Sequence, residues 1–525
     1  MSSTNLTLRR WLFASPLILL AAGATVWGVQ RLGRDRTPVN GTSDPPPVTN
    51  RDIKAEVHTF CGTACHAYPP ADSFPRSVWK TEVERGYGFF EKSGMSLAPP
   101  PIEAVVRYYE EQAPDVLPPA DLRPEPYPLP VEFERVSYPP PPPAGPLAIS
   151  NLDLVRLTHP KSGPLDVLAC DMLTGRIMLL TPADPNPAWK VIGKTTNPAH
   201  VTVVDLDRDG VPDILVADLG SYPPTDRRCG SVAWLRGRAD GSFAPPVTLL
   251  DNVGRVADVQ AADFRGTGRL DLIVAVFGLH AAGEVLLLEN ETTDWAHPRF
   301  VPKQVDARHG AIHVPVADLN GDGKPDFVAL FAQEHEMVVA FLNDGKGGFT
   351  PKTLYSGPHP GYGSSGIELV DLNGDGKLDV LYSNGDILDE PFLLKPYHSV
   401  QWLENKGDMK FEHHPISPMY GVHRAVAGDL LGTGRKAVAA VSFLPHDKFP
   451  DRVTRKADAL VVFEQTAPGK FERHPLLSID CDSTVCAVGD LYGTGRVDVV
   501  VGNFLSPKTD HPVTIWRNRG PARAR

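Results

Sequence analysis

Positive charge is in short supply in this chain. Lys and Arg number 52 against 63 Asp and Glu, a formal net charge of −11 over 525 residues. That balance argues against nucleic acid as a partner, because phosphates need a basic surface. Catalytic signatures are missing too: there is no nucleophile motif, no phosphate-binding glycine loop and no HExxH. Nothing in the sequence therefore names an enzyme. Cysteine is scarce, with six residues: Cys61, Cys65, Cys170, Cys229, Cys481 and Cys486. Cys481 and Cys486 are close enough in sequence to bridge; the alternative is two buried small apolar side chains.

Proline is abundant, with 53 residues, many of them clustered at 118–130 and 139–146. Such runs favour extended, semi-rigid spacers between folded parts. Trp11 to Val29 carry no charge, and Arg9 and Arg10 precede them. A run near the ~20 residues that span a bilayer reads as a transmembrane anchor, with 1–10 as a cytoplasmic tail. A cleaved export signal, with AGA at 22–24, is the alternative. Either sends the body out of the cytoplasm to the periplasm or cell surface. The expected domains are a linker at 30–51, a helical domain at 52–117, a Pro-rich linker at 118–130, a repeat domain at 131–519 and a tail at 520–525.

The repeats define that last domain. Six segments align: DLDRDGVPD from Asp205, DFRGTGRLD from Asp263, DLNGDGKPD from Asp318, DLNGDGKLD from Asp371, DLLGTGRKA from Asp429 and DLYGTGRVD from Asp490. A worn seventh copy upstream keeps only Asp166 in the last acidic place. In each, an apolar run enters the acidic loop, a β-rich run leaves it, and two more strand-like runs follow. Four strands per repeat predict an all-β, seven-bladed propeller. The last blade lacks its outer strand, since only PARAR follows VTIWRNRG. Residues 131–138, VEFERVSY, look like the other outer strands, so Phe133 to Tyr138 is expected to pair antiparallel with Val513 to Arg517.

Three loops carry oxygen side chains at positions 1, 3, 5 and 9 with glycine at 6, the spacing with which an EF-hand loop wraps calcium. They are Asp205/Asp207/Asp209/Asp213, Asp318/Asn320/Asp322/Asp326 and Asp371/Asn373/Asp375/Asp379. About three calcium ions are expected. In the Asp263 and Asp490 loops, Arg269 and Arg496 at position 7 are expected to replace the cation by pairing with the two aspartates. The Asp429 loop has Ala437 in the last place. These loops resemble the FG-GAP/VCBS family of calcium-binding propeller blades, as in integrin α heads. That resemblance implies a seven-bladed propeller over 150–519 and no single activity. His200, His313 and His423 recur at the entry of their first strands, either as rim polar residues or as a ligand site.

Near the N-terminus, CGTACH places Cys61, Cys65 and His66 one residue wider than a C-x-x-C-H haem motif. Amphipathic periodicity predicts helices around it: Ile53, Val57 and Phe60; then Trp79, Val83, Tyr87 and Phe90; then Ile102, Val105, Val106 and Tyr109. This order resembles a small c-type cytochrome. The resemblance implies thioethers at Cys61 and Cys65, His66 as proximal ligand and Met95 as distal ligand, with His58 as a substitute. The alternative is a Cys61–Cys65 disulfide on a small helical domain. The resulting expectation is an anchored haem c electron-transfer protein, with the propeller as docking platform for a redox or cell-surface partner. The alternative is a non-redox adhesion or interaction scaffold. A dehydrogenase with its site over the propeller channel comes third.

Overall fold

The second strand of every repeat is buried from end to end: Asp166–Asp171, Asp213–Asp218, Asp271–Val276, Asp326–Phe331, Asp379–Asn384, Ala437–Ser442 and Asp498–Asn503. A strand covered on both faces needs an unbroken apolar run, such as LIVAV or VVVG, in place of alternation. In the computed structural model each of these runs sits inside one of seven antiparallel sheets, and apolar clusters join the sheets into a ring. The structure describes residues 52–522, apart from 64–66, 94, 123–128, 143–144, 160–161, 389–390, 456 and 505–510.

Each blade runs inner, second, third and outer strand in chain order. Blade four alone has its inner strand in two pieces: Ala311–His313 with Val316–Ala317, then Asp326–Phe331, Met337–Asn343 and Phe349–Ser356. Its inner strand is split at Pro315, which has no N–H to give to the ladder. Alternating connections fall on opposite faces of the ring. The acidic loops lie on one face. The turns between second and third strands, and the connections between blades, lie on the other, where the inner strands begin; this is the channel face.

Blade seven closes with strands from both ends of the domain, as the sequence predicts. Val131–Ser137 pairs antiparallel with Val513–Pro521, with Glu134 opposite Arg517 and Ser137 opposite Thr514. A bulge at Glu132/Phe133 shifts the register there. Glu134 also pairs with Arg519. The possible Cys481–Cys486 bridge is absent; both thiols are unbridged and buried, in separate apolar clusters.

The fold class read from the sequence is corrected on two counts. Residues 52–117 are three small helices, α1 (Ile53–Thr63), α2 (Arg76–Ser93) and α3 (Ile102–Gln112), and not a cytochrome domain. A cytochrome gives its centre to a porphyrin, whereas these helices close on one another through their own rings. Trp79 stacks on Tyr109 at 3.8 Å, Phe74 packs edge-on to Trp79 at 5.5 Å, and Tyr68 lies over Tyr109 at 6.2 Å. The second count is the anchor. Among the described residues no helix is long and apolar enough to cross a membrane, so the described fold contains no transmembrane anchor; residues 11–29 lie outside it.

The helical unit packs on the channel face. Tyr397 Oη of blade five donates to Ser73 O at 3.3 Å, and the Phe89 ring meets the His280 ring of blade three at 4.8 Å. Ala120 N donates to Tyr420 Oη at 2.7 Å.

Candidate metal loops and the channel face

All six acidic loops share one backbone form. Positions 4 and 6 have left-handed φ throughout, with glycine at both except in blade two, where Arg208 (φ 60°) takes position 4. In each loop the position-1 carboxylate accepts the N–H of the position-6 glycine, from Asp205 with Gly210 at 3.0 Å to Asp490 with Gly495 at 2.7 Å. The position-9 aspartates act as struts. Asp326 accepts Leu319 N and Asn343 N; Asp213, Asp379 and Asp498 repeat the pattern in their blades. Burial raises the carboxyl pKa of all four, that of Asp498 to about 6. Position 1, and outside blade six position 9, therefore persist in loops with no metal pattern because they hold the turn itself.

Positions 3 and 5 separate the loops. In blade two, carboxylate oxygens of Asp205, Asp207 and Asp213 lie within 4.8 Å of one another. Asp205 Oδ1 is buried and has no hydrogen-bond partner. Arg236 reaches in to Asp207 at 2.5 Å and Asp209 at 3.1 Å. In blades four and five, Asn320 and Asn373 side-chain oxygens accept the N–H of Asp322 and Asp375 at 2.9 Å. Lys324 and Lys377 hold the outer oxygens of Asp322 and Asp375, and these contacts lower the carboxyl pKa of both. Asp318 Oδ1 and Asp371 Oδ1 each accept two backbone N–H groups, but their Oδ2 atoms and both oxygens of Asp322 and Asp375 accept one hydrogen bond each and keep a lone pair, so the sets fit a cation that takes oxygen ligands.

The arginine expected between the aspartates of blade three is the wrong one. Arg265, at position 3, grips Asp271 through Nε and Nη2 at 2.9–3.1 Å, while Arg269 donates to Thr292 O at 3.4 Å. In blade seven, Arg496 donates to Asn518 O, and Tyr492 at position 3 lies under Arg517 at 3.9 Å. A side chain at position 3 points over the loop's own centre; one at position 7 has already turned onto the neighbouring strand.

The histidines meet across the channel. His200 Nδ1 of blade two is 3.1 Å from Asp258 of blade three, and His313 Nδ1 of blade four is 4.0 Å away. Arg424 Nη1 of blade six reaches His313 Nε2 at 3.3 Å. Side chains from four blades thus thread the channel. His423 instead bonds Thr484 O at 2.9 Å. The channel face also holds an open cleft of about 500 Å³ between α2 and blades five and six, lined by Ser77, Arg85, Phe392, Asp447 and Lys448 among others.

Of the residues named for haem, only Cys61, Met95 and His58 lie among the described ones. Cys65 and His66 lie outside the described residues. Cys61 packs among Tyr68, Tyr87 and Tyr109, and Met95 lies outside that core. His58, the substitute ligand, stacks on Tyr68 at 3.8 Å. The described residues give electron transfer no support.

Residues 299–382 match the family model of the FG-GAP-like repeat. The span covers the outer strand of blade three, all of blade four, and the inner strand and most of the second strand of blade five. Together with the seven-bladed ring, it supports an FG-GAP-type propeller. A search of the curated proteins gave no match.

Proposed function

We propose that this chain is an exported, calcium-stiffened interaction scaffold. Its propeller presents the channel face, with the helical unit on it, to a protein partner at the cell surface or in the periplasm. The observation that carries the metal is the Asp205 carboxylate, whose inner oxygen is buried without a partner beside Asp207 and Asp213. Such a group is costly unless something positive meets it. Asp205, Asp207, Asp209 and Asp213 would hold one ion. Asp318, Asn320, Asp322 and Asp326 would hold a second, and Asp371, Asn373, Asp375 and Asp379 a third. Calcium would neutralise the loops and fix the turn between inner and second strands. Loops of this kind with modest affinity suit the high calcium found outside cells.

The partner face follows from where apolar side chains stay in water. Among the described residues eight large ones are exposed, and six belong to the helical unit or to channel-face connections: Phe89, Leu97, Val116, Leu388, Val453 and Ile479. Exposed apolar groups gathered on one face mark protein interaction sites. The test is photocrosslinking from Phe89, Leu388 and Val453, against Val191 and Val247 on outer strands as controls. Calcium-dependent capture of a protein from the channel-face positions alone is expected. Equal capture from the outer strands would refute the reading.

A further inference from the structure

We propose that His309, Glu334 and His335 form a site for a divalent transition metal of the zinc class on the channel face at blade four. Two connections build it. His309 lies between the outer strand of blade three (Phe300–Asp306) and the inner strand of blade four; Glu334 and His335 lie in the turn from Asp326–Phe331 to Met337–Asn343. One ligand atom from each of the three lies within 4.8 Å of the other two. His309 Nε2 is 2.8 Å from Glu334 Oε1, and the two imidazole rings are 5.1 Å apart. His335 Nε2 is buried and has no hydrogen-bond partner. A buried polar atom left unmatched is costly and calls for an explanation.

The frame around these side chains is fixed. Gln333 and Glu336 take left-handed φ of 58° and 45°, which forces the turn. The Glu336 carboxylate accepts Gly363 N and Ser364 N at 2.9 and 2.8 Å, tying the turn to blade five. Gly310 N donates to Phe277 O, and Ala332 N to Gly310 O. Gly283 is needed behind His309: a Cβ there would fall 2.5 Å from His309 Cα and Cβ. The neighbouring cation does not compete, because Arg308 is forked onto Asp306 and lies over the Phe331 ring at 4.3 Å.

Donor chemistry selects the metal. Two imidazoles and one carboxylate suit zinc and its neighbours, whereas calcium takes oxygen alone. Zinc–ligand bonds of about 2.1 Å in a tetrahedron set the ligands about 3.4 Å apart. His309 Nε2 and Glu334 Oε1, 2.8 Å apart, would open slightly to that spacing, and any pair near the 4.8 Å limit would close by about 1.4 Å through side-chain rotation. Three protein ligands leave a fourth position for water, or for a carboxylate or imidazole of a docked protein. The two other histidine clusters, around His414 and His474, each offer a single imidazole that already faces a glutamate on its own sheet.

The experiment uses untagged full-length chain, stripped with chelator and titrated with Co²⁺ in excess Ca²⁺. One equivalent should bind and give the visible d–d bands of a nitrogen-ligated ion, and Zn²⁺ should abolish them. His309→Ala and His335→Ala should each weaken binding at least tenfold, and Glu334→Gln should shift the bands. Anomalous scattering from Zn²⁺-soaked crystals of the unaltered chain locates the ion even if a variant misfolds. No stoichiometric Co²⁺ binding, bands that survive both histidine substitutions, or an ion found elsewhere overturns the proposal.

Discussion

Val136 stands opposite Ile515 in the ladder that joins the first strand of the ring to its last. Ile515 is fully buried, and Val136 packs against the same cluster between blades seven and one. Phe133, on the same strand, packs into the cluster between blades six and seven. The ring is therefore shut by one short strand that touches two inter-blade cores.

Deleting residues 131–138 should cost both contacts and leave the third strand of blade seven as an open edge. At roughly 1–2 kcal/mol for each apolar side chain withdrawn, the melting temperature should fall by about 5–10 °C. The bare edge should also promote self-association. Unchanged melting with a monomeric elution profile would show that the strand does not close the ring.

Two aspartates of one loop should part company. Asp322 is exposed and serves its own turn, whereas Asp326 is fully buried and holds Leu319 N and Asn343 N. In chelator, Asp322→Ala should melt like the unaltered chain, while Asp326→Ala should lose about 2–4 kcal/mol. With calcium, isothermal titration should count about three sites in the unaltered chain and one fewer in Asp322→Ala. A calorimetric count that Asp322→Ala leaves intact would remove the loop from the metal assignment.

Blade three should depend on an arginine and not on a metal. Arg265→Ala leaves the fully buried Asp271 without its charge partner. Breaking a buried pair of this kind costs about 3–5 kcal/mol, and here Asn290 N still bonds the carboxylate, so about 3 kcal/mol is expected. Arg269→Ala should cost under about 1 kcal/mol, as for an ordinary surface contact. Denaturant melts of the two variants decide between them, and equal losses would restore the position-7 arginine.

Burial pushes the Glu336 carboxyl up to about 8, against the pull of its bonds to Ser364 and Gly363. Its ordinary value is 4.5. Between those values the folded chain keeps a proton that the unfolded chain has released. This group's contribution is thus full below pH 4.5 and is lost as pH rises through about 8. Glu336→Gln removes that slope. The melting temperature of the variant minus that of the unaltered chain should climb by several degrees from pH 5 to pH 9. A flat difference would mean that Glu336 does not titrate in this window.

The ring was legible because each blade repeats a signal that physics makes local. A fully covered second strand demands an apolar run, and a turn with two left-handed residues demands glycine at fixed places. The closing strand was legible for the same reason, since Phe133 to Tyr138 resembles other outer strands. What escaped depends on what lies opposite. Arg265 and Arg269 are equally plausible partners for Asp271 in a linear string, and only the direction of the turn separates them. His309 and Glu334 come from different connections that the ring brings together. The helical unit misled because amphipathic spacing tells that helices share a centre, not whether rings of their own or a cofactor fill it.

Arg236 should be a competitor of calcium in blade two. It satisfies Asp207 and Asp209 but leaves Asp205 Oδ1 bare, so it neutralises only part of the loop. An ion in the loop would have to displace the guanidinium, and binding there should be the weakest of the three sites. Arg236→Ala removes the competitor and raises the loop's negative charge. That site should then bind calcium about tenfold more tightly, a gain of about 1.4 kcal/mol. The sites of blades four and five should not change, because Lys324 and Lys377 are untouched. In chelator the same variant should melt below the unaltered chain, since Asp207 and Asp209 have lost the guanidinium that pairs with them. Paired calcium titrations and melts of the two proteins test both halves. A superimposable isotherm would show that Arg236 does not occupy the ion's place.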